Sequence, residues 1–164
     1  ESNPMLEQIG KKGAEISPCG IYRYSLWRIW DDSLPKVMFI GLNPSTADAT
    51  DDDSTITRCI RFAEMWGFGG IYMTNLFAYR STDKSKLYAV DEPVGDNDKY
   101  ILKYAKKADK IIAAWGNDGS FLGRSETVYN LIPSLFCLHI NQTGEPKHPL
   151  YVAYDTTLKS YIRE

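Results

Sequence analysis

Four short apolar runs, separated by helical patterns, most limit the folds open to this chain. The runs cover residues 37–41, 71–77, 110–115 and 135–140. Apolar residues recur at helical spacing over residues 55–66, 96–108 and 121–131. Short apolar runs bounded by turn residues are typical of strands buried on both faces. Strands that alternate with helices favour a parallel sheet, so we predict an α/β fold with a four-stranded parallel sheet covered by helices on both faces.

The N-terminal part of the chain has a different pattern. Residues 14–31 are rich in β-forming residues, and a turn is predicted at Pro18-Cys19-Gly20. We predict an antiparallel β-hairpin here, which we call the ribbon, at one side of the main sheet. Arg23 and Arg28 are interleaved with its aromatic residues. They could reach a phosphate, or lie in solvent with their stems against the aromatic rings.

The size and composition predict a single domain over residues 1–164, with 1–12 as a loose lead-in and a short helix near Tyr161 at the other end. The net charge of −2 argues against a tight, non-specific nucleic-acid binder but allows a local basic groove. The three cysteines are far apart and form no Cys-x-x-Cys pair. With no signal peptide or membrane-spanning run visible, we expect a cytoplasmic protein.

The loops that follow the predicted strands carry the residues best suited to chemistry. Because successive parallel strands point the same way, these loops gather at one edge of the sheet, where open α/β proteins bind their ligands. Asn43 follows the first strand, Asn75 ends the second and Asn117 follows the third. Asn43 precedes a proline that restricts the turn, so its carboxamide could orient a water molecule or cap the turn itself.

Acidic residues and one histidine complete the candidate catalytic set. Asp48 and Asp53 lie in an aspartate-rich loop before a helix, where they could cap the helix, act as a general base or bind a divalent cation. His148, in a late loop, could donate to a ligand oxygen or be structural. His139, inside an apolar run, is interpreted as a core residue.

The predicted site therefore has two parts, and no metal or cofactor is assigned to it. The chain has no phosphate-binding P-loop and no Gly-x-Gly-x-x-Gly motif, which argues against nucleoside-triphosphate hydrolysis and NAD chemistry. The catalytic candidates are Asn43, Asp48, Asp53 and His148. The binding candidates are Ser45, Thr46, Asn75, Arg80 and Asn117.

Several spaced motifs resemble one bacterial and phage family, catalogued as domain of unknown function 1643. The motifs are GLNPSTAD at 41–48, DSTI at 53–56, NLFAYR at 75–80, Trp115-Gly116 and GEPKHPLY at 144–151. The resemblance runs from about Tyr22 to Tyr151.

A more distant resemblance links the chain to uracil-DNA glycosylases. Gly41-Leu42-Asn43-Pro44 is similar to their first motif, especially in the mismatch-specific thymine/uracil branch, and His148-Pro149 to their late His-Pro motif. These enzymes flip a base out of the duplex and cleave its glycosidic bond. The resemblance implies a glycosylase-like parallel fold, an Asn43 that positions the attacking water, and a His148 that contacts the base carbonyl.

The leading hypothesis is a domain that binds a nucleobase, nucleotide or DNA and, if it is an enzyme, hydrolyses an N-glycosidic bond. In that reaction Asp48 or Asp53 would assist the water and Asn75 would read the base. One alternative is a non-catalytic module that binds nucleic acid or a protein partner through ribbon aromatics such as Trp27 and Trp30. Another is a metal-dependent hydrolase that uses the Asp48 to Asp53 loop.

Overall fold

The computed structural model describes residues 12–163, which form strands, α-helices and 3-10 helices. The strands are β1 (Lys12–Ile16), β2 (Arg23–Ile29), β3 (Val37–Gly41), β4 (Gly70–Asn75), β5 (Lys110–Ala113), β6 (Phe136–Cys137) and β7 (Lys159–Ser160). The α-helices are α1 (Ser54–Met65), α2 (Lys84–Ala89), α3 (Asn97–Ala105) and α4 (Arg124–Leu131). The 3-10 helices are Asn117–Gly123 and Pro149–Tyr151.

The sheet is mixed and has seven strands in the order β1-β2-β4-β3-β5-β6-β7. Strands β4, β3, β5 and β6 pair in parallel, whereas β1 with β2, β2 with β4 and β6 with β7 pair antiparallel. The prediction of a four-stranded parallel sheet with a uracil-DNA-glycosylase-like fold is therefore wrong. The physical reason is that the edges of β4 and β6 carry unpaired backbone groups, and antiparallel strands from the two ends of the chain satisfy them.

The ribbon is present, but it belongs to the main sheet. Strands β1 and β2 form the hairpin, and β2 pairs with β4 so that Leu26 lies opposite Met73. Lys12, the last residue of the predicted lead-in, begins β1. The rest of that prediction, residues 1–11, lies outside the described residues.

Two other predictions differ from the structure. The segment before Tyr161 forms β7 rather than a helix, and the Tyr161 amide donates to the carbonyl of Leu135 at 2.8 Å. The predicted loop between residues 79 and 96 contains α2, which Asp83 caps by accepting from the Ser85 amide at 2.9 Å. No helix within residues 12–163 combines the length and apolar composition needed to cross a membrane.

The core lies on both faces of the sheet, as the continuous apolar sequence of β3 predicts. Val37 and Phe39 pack in the cluster that includes the inner face of α1, with Ile56, Cys59 and Phe62. Met38 and Ile40 pack in the opposite cluster, which contains residues of α2, α3 and α4. The carboxyl ends of β3, β4 and β5 are thereby held between helical layers, and a cavity opens there.

Candidate functional site

A cavity of about 680 Å³ lies at the carboxyl ends of β3, β4 and β5. Its walls come from the loop after β3, the end of β4, the turn after β5 and the segment around His148. Arg23, the first residue of β2, also lines it, because β2 runs antiparallel to β4 and begins where β4 ends. The volume lies within the range of small-molecule sites.

Six of the nine predicted site residues line this cavity, and three do not. The six are Asn43, Ser45, Asp53, Asn75, Asn117 and His148. The three outside the lining are Thr46, Asp48 and Arg80.

The three residues outside the lining lie on the loop after β3 or support it. The Asp48 carboxylate accepts from the Asp51 amide at 2.8 Å and the Thr50 amide at 3.0 Å, which lowers the pKa of Asp48. Arg80 donates to the carbonyl of Ser45 at 3.4 Å, and Thr46 is exposed. Asp48 and Arg80 thus shape the loop that carries Asn43 and Ser45.

Asn43 joins two loops through its side-chain amide. Its Nδ2 donates to the carbonyls of Pro44, Tyr79 and Ser81 at 3.1, 3.3 and 2.9 Å. These bonds connect the loop after β3 to the loop after β4. Its Oδ1 accepts no hydrogen bond from the described residues, so it is left as an acceptor for water or a ligand.

Asn75 combines deep burial with a side chain that has no protein partner. The residue is only 3% exposed and lines the cavity, yet its carboxamide makes no hydrogen bond with residues 12–163. A Cβ atom at position 41 would lie 2.6 Å from Asn75 Oδ1, so a side chain there would force the carboxamide to move. Buried polar groups nearly always have a partner, and here the cavity is where a ligand could supply one.

Asp53 brings the start of α1 to the cavity wall. Its Oδ1 accepts from the Ile56 amide at 2.9 Å, which is the capping bond expected for an aspartate before a helix. A carboxylate has further acceptor positions beyond that bond. Asp53 can therefore cap α1 and still face a ligand or water in the cavity.

His148 presents a neutral imidazole to the cavity. Its Nδ1 accepts from the Leu150 amide at 3.2 Å, which places the proton of the neutral ring on Nε2. Burial, reinforced by the nearby Lys84 ammonium, lowers the pKa of His148. The ring is thus a hydrogen-bond donor at neutral pH, suited to a carbonyl oxygen.

The segment that carries His148 is held in place by α1. Arg58 donates through Nε to the carbonyl of Pro149 at 2.8 Å and through Nη2 to the carbonyl of Val152. Its guanidinium also lies over the Tyr154 ring, 4.1 Å from the centroid. The helix that begins at Asp53 therefore also positions the loop of His148.

Arg23 is a site residue that sequence reasoning did not select. It is 2% exposed; Nη1 donates to the carbonyl of Ala47 at 3.0 Å, and the buried Nε has no partner. Burial lowers the pKa of Arg23 to about 10. Arg28 is also buried, but it bonds Asp52 and several carbonyls. The interpretation of these arginines as solvated residues is therefore wrong.

Other lining residues were also not selected, including Lys84, Trp115, Asp118, Lys147 and Tyr151. Lys84 forms an ion pair with Asp118, which also lines the cavity. Trp115 is nearly fully buried, and its Nε1 donates to Glu145 at 2.8 Å. Most of them could have been found from their position in the sequence, because they follow β5 or flank His148.

The tryptophans of the ribbon, on which the binding-module hypothesis depends, have structural roles. Trp27 is 6% exposed and stacks on Tyr104, and Trp30 donates to the carbonyl of Phe68 at 3.1 Å. Residues 12–163 contain no group of three His, Cys, Asp or Glu side chains placed to hold a metal ion. His139 is exposed, so its interpretation as a core residue is wrong, because β6 ends two residues earlier.

The comparisons with known proteins agree with the motif pattern. A family model described as "Protein of unknown function (DUF1643)" matches residues 23–150, well over half of the chain. The match includes every residue that lines the cavity except Tyr151. No curated protein and no solved structure matches the chain. The chain therefore belongs to the DUF1643 family, as its spaced motifs predict.

Proposed function

We propose that the cavity binds a nucleobase-bearing ligand and that the protein hydrolyses the N-glycosidic bond of that ligand. The observation that carries the proposal is the Asn75 carboxamide, which belongs to a residue only 3% exposed, lines the cavity and makes no hydrogen bond with the described residues. A carboxamide offers donors and an acceptor together. The edge of a nucleobase presents the matching pair, so one ligand would satisfy both.

The reaction assigned to the site is a displacement at the anomeric carbon by water. The water oxygen bonds to that carbon while the carbon–nitrogen bond breaks, and the bond electrons leave with the base. Asp53 accepts the proton of the water and its negative charge stabilises the oxocarbenium-like transition state. Asn43 orients the water through Oδ1, because its Nδ2 is held by three carbonyls.

His148 supports departure of the base. Negative charge grows on a base carbonyl as the bond breaks, and a neutral imidazole can donate to it from Nε2. The Leu150 amide supports this tautomer by donating to Nδ1. The leaving base then takes up one proton, which balances the proton that Asp53 accepts from the water.

The test measures release of free base by chromatography and abasic sites by alkaline cleavage. The substrates are nucleosides, 5′-nucleotides and oligonucleotides that contain uracil, a thymine mismatch or hypoxanthine. Asp53→Asn should lower turnover by about 10²–10⁴-fold, the usual effect of removing a general base. Asparagine still caps a helix, so the fold of this variant should survive.

The matched control is Asp51→Asn, which removes an exposed carboxylate of the same loop outside the cavity lining. It should keep wild-type turnover. Asn75→Ala should weaken substrate binding. A folded wild-type protein that releases no base from any substrate, or an Asp53→Asn variant with wild-type turnover, would contradict the proposed reaction.

A further inference from the structure

We infer that the ligand carries a phosphoryl group and that Arg23, with Lys147 as a second cation, binds it inside the cavity. This inference rests on the proposed function, because it adds a phosphate to the base-bearing ligand. It names the substrate class as a nucleoside monophosphate.

Arg23 is a buried cation with unused donors. Only 2% of the residue is exposed, and one of its nitrogens, Nη1, donates to the carbonyl of Ala47. Its Nε is buried without a partner, and no carboxylate of residues 12–163 lies at ion-pair distance from it. A buried charge without a counter-ion is strongly unfavourable. An anion that enters the cavity would balance the charge of the Arg23 guanidinium.

The neighbouring charged groups do not fill this role. Arg28 is held by Asp52, and Arg80 donates to backbone carbonyls. Asp48 accepts from backbone amides of its own loop, and Asp53 caps α1. Asp53 is near enough to favour the charged form of Arg23 but does not form an ion pair with it. Arg23 therefore has carboxylates nearby, in Asp53 and Asp48, but no ion-pair partner among the described residues.

A second cation makes phosphate a better match than a carboxylate. Lys147 lines the same cavity and forms no ion pair within the described residues, whereas Lys84 is paired with Asp118. A phosphate monoester carries a charge of about −1.5 to −2 at neutral pH, and its several oxygens can accept from a guanidinium and an ammonium together. A carboxylate carries a single charge.

The burial of Arg23 also favours a terminal phosphate over the backbone of a long nucleic acid. Arg23 lines the cavity and is only 2% exposed, so a phosphate must enter the cavity to reach it. Backbone phosphates are bound by basic outer surfaces, and this chain has a net charge of −2 and a pI of about 5.7. A nucleoside monophosphate fits both observations.

Calorimetric titration of the full chain with inorganic phosphate tests the site without any base. Arg23→Gln should weaken phosphate binding by about tenfold or more, as expected for loss of a charge-assisted hydrogen bond. Lys147→Gln should weaken it less. Arg61→Gln removes a cation from the exposed side of α1 and should bind phosphate like the wild type.

A second titration compares a nucleoside, its 5′-monophosphate and an oligonucleotide that contains the same base. The monophosphate should bind most tightly to the wild type, and Arg23→Gln should remove its advantage over the nucleoside. Arg23→Lys keeps the charge but loses the planar fork, so its phosphate affinity should be intermediate. If Arg23→Gln fails to fold, as judged by circular dichroism, Arg23→Lys and Lys147→Gln decide the question.

Equal phosphate affinity in wild type and folded Arg23→Gln would overturn the inference, as would absence of phosphate binding or preference for the oligonucleotide. These outcomes are separable from failure of the proposed reaction. Binding of inorganic phosphate at Arg23 without base release would contradict the hydrolysis and leave the anion site standing. Hydrolysis of nucleosides without phosphate binding would support the proposed reaction and contradict the anion site.

Discussion

Asn43 follows β3 and Asn75 ends the neighbouring parallel strand β4, yet their side chains have different surroundings. Asn43 uses its Nδ2 to bond three backbone carbonyls, whereas the Asn75 side chain bonds nothing in residues 12–163. Asn43→Ala should therefore lower the free energy of unfolding by about 1–3 kcal/mol, since its carbonyl partners lose a donor. Asn75→Ala should change it by less than about 1 kcal/mol, because no protein hydrogen bond is lost.

Urea unfolding of the two variants, followed by fluorescence, measures this difference. The pair is well matched, because the same atoms are removed at adjacent strand ends. For ligand affinity we expect the opposite order, so that Asn75→Ala weakens binding more than Asn43→Ala does. Equal losses of stability would show that Asn75 has a structural role and would weaken the argument that its carboxamide awaits a ligand.

At the scale of elements, α1 connects the two sides of the cavity. Its first turn follows Asp53, and Arg58 one turn later holds the segment of His148 through two carbonyls. Arg58→Met should therefore speed amide hydrogen exchange at Tyr151 and Val152 by about tenfold or more, because loss of these bonds favours local opening. Exchange measured residue by residue by NMR gives the result directly.

Arg61 provides the control for this prediction. It also lies over the Tyr154 ring, 5.0 Å from the centroid, but it is exposed and donates no hydrogen bond to the described residues. Arg61→Met should leave the exchange rates of Tyr151 and Val152 unchanged. Wild-type exchange in Arg58→Met would mean that α1 does not position His148.

The helices and strands that were predicted correctly are those whose sequence pattern is contained within a few neighbouring residues. The predicted strand 37–41 is β3, and the helix predicted over 55–66 differs from α1 by one residue at each end. A buried apolar run and a helical period are both visible within a few residues. The antiparallel attachment of β2 and the two-residue strand β7 depend on which sheet edge is free, and no local pattern carries that information.

The same difference between local and long-range signals explains which site residues could be predicted from the sequence. Asn43, Asn75 and His148 could be chosen because each follows a recognisable strand or occurs in a conspicuous motif. The sequence allows Arg23 to reach a phosphate but does not place it in the site, because its place in the cavity depends on the pairing of β2 with β4. In the sequence, Arg23 stands among aromatic residues as it would in any amphipathic β-hairpin, so its burial cannot be recognised there.

At the scale of the whole molecule, the cavity requires residues from nearly the full length of the described chain. Arg23 lies at one end of the lining and Tyr151 at the other. Glu145 adds a buried link, because it accepts from Trp115 after β5, Ser125 in α4 and Arg163 beyond β7. The site and the fold are therefore coupled where a cavity residue also bonds to the rest of the protein, as Trp115 does through Glu145.

His148 makes that coupling dependent on pH. Burial and the Lys84 ammonium hold its folded-state pKa below the ordinary value of 6.5. Between those two values the unfolded chain binds more protons than the folded chain, so the free energy of unfolding rises with pH. The contribution is complete above pH 6.5 and is lost as the pH falls through the folded-state value.

Urea unfolding at intervals from pH 7.5 to about pH 5 tests this, with His148→Gln and His139→Gln compared with the wild type. His139→Gln is the matched control, because it removes the other histidine of the chain, which is exposed and lies outside the cavity lining. His148→Gln should show a flatter profile below pH 6.5. Parallel profiles for all three proteins would show that His148 takes up protons equally well in the folded chain, and the neutral imidazole assigned to base departure would then lack support.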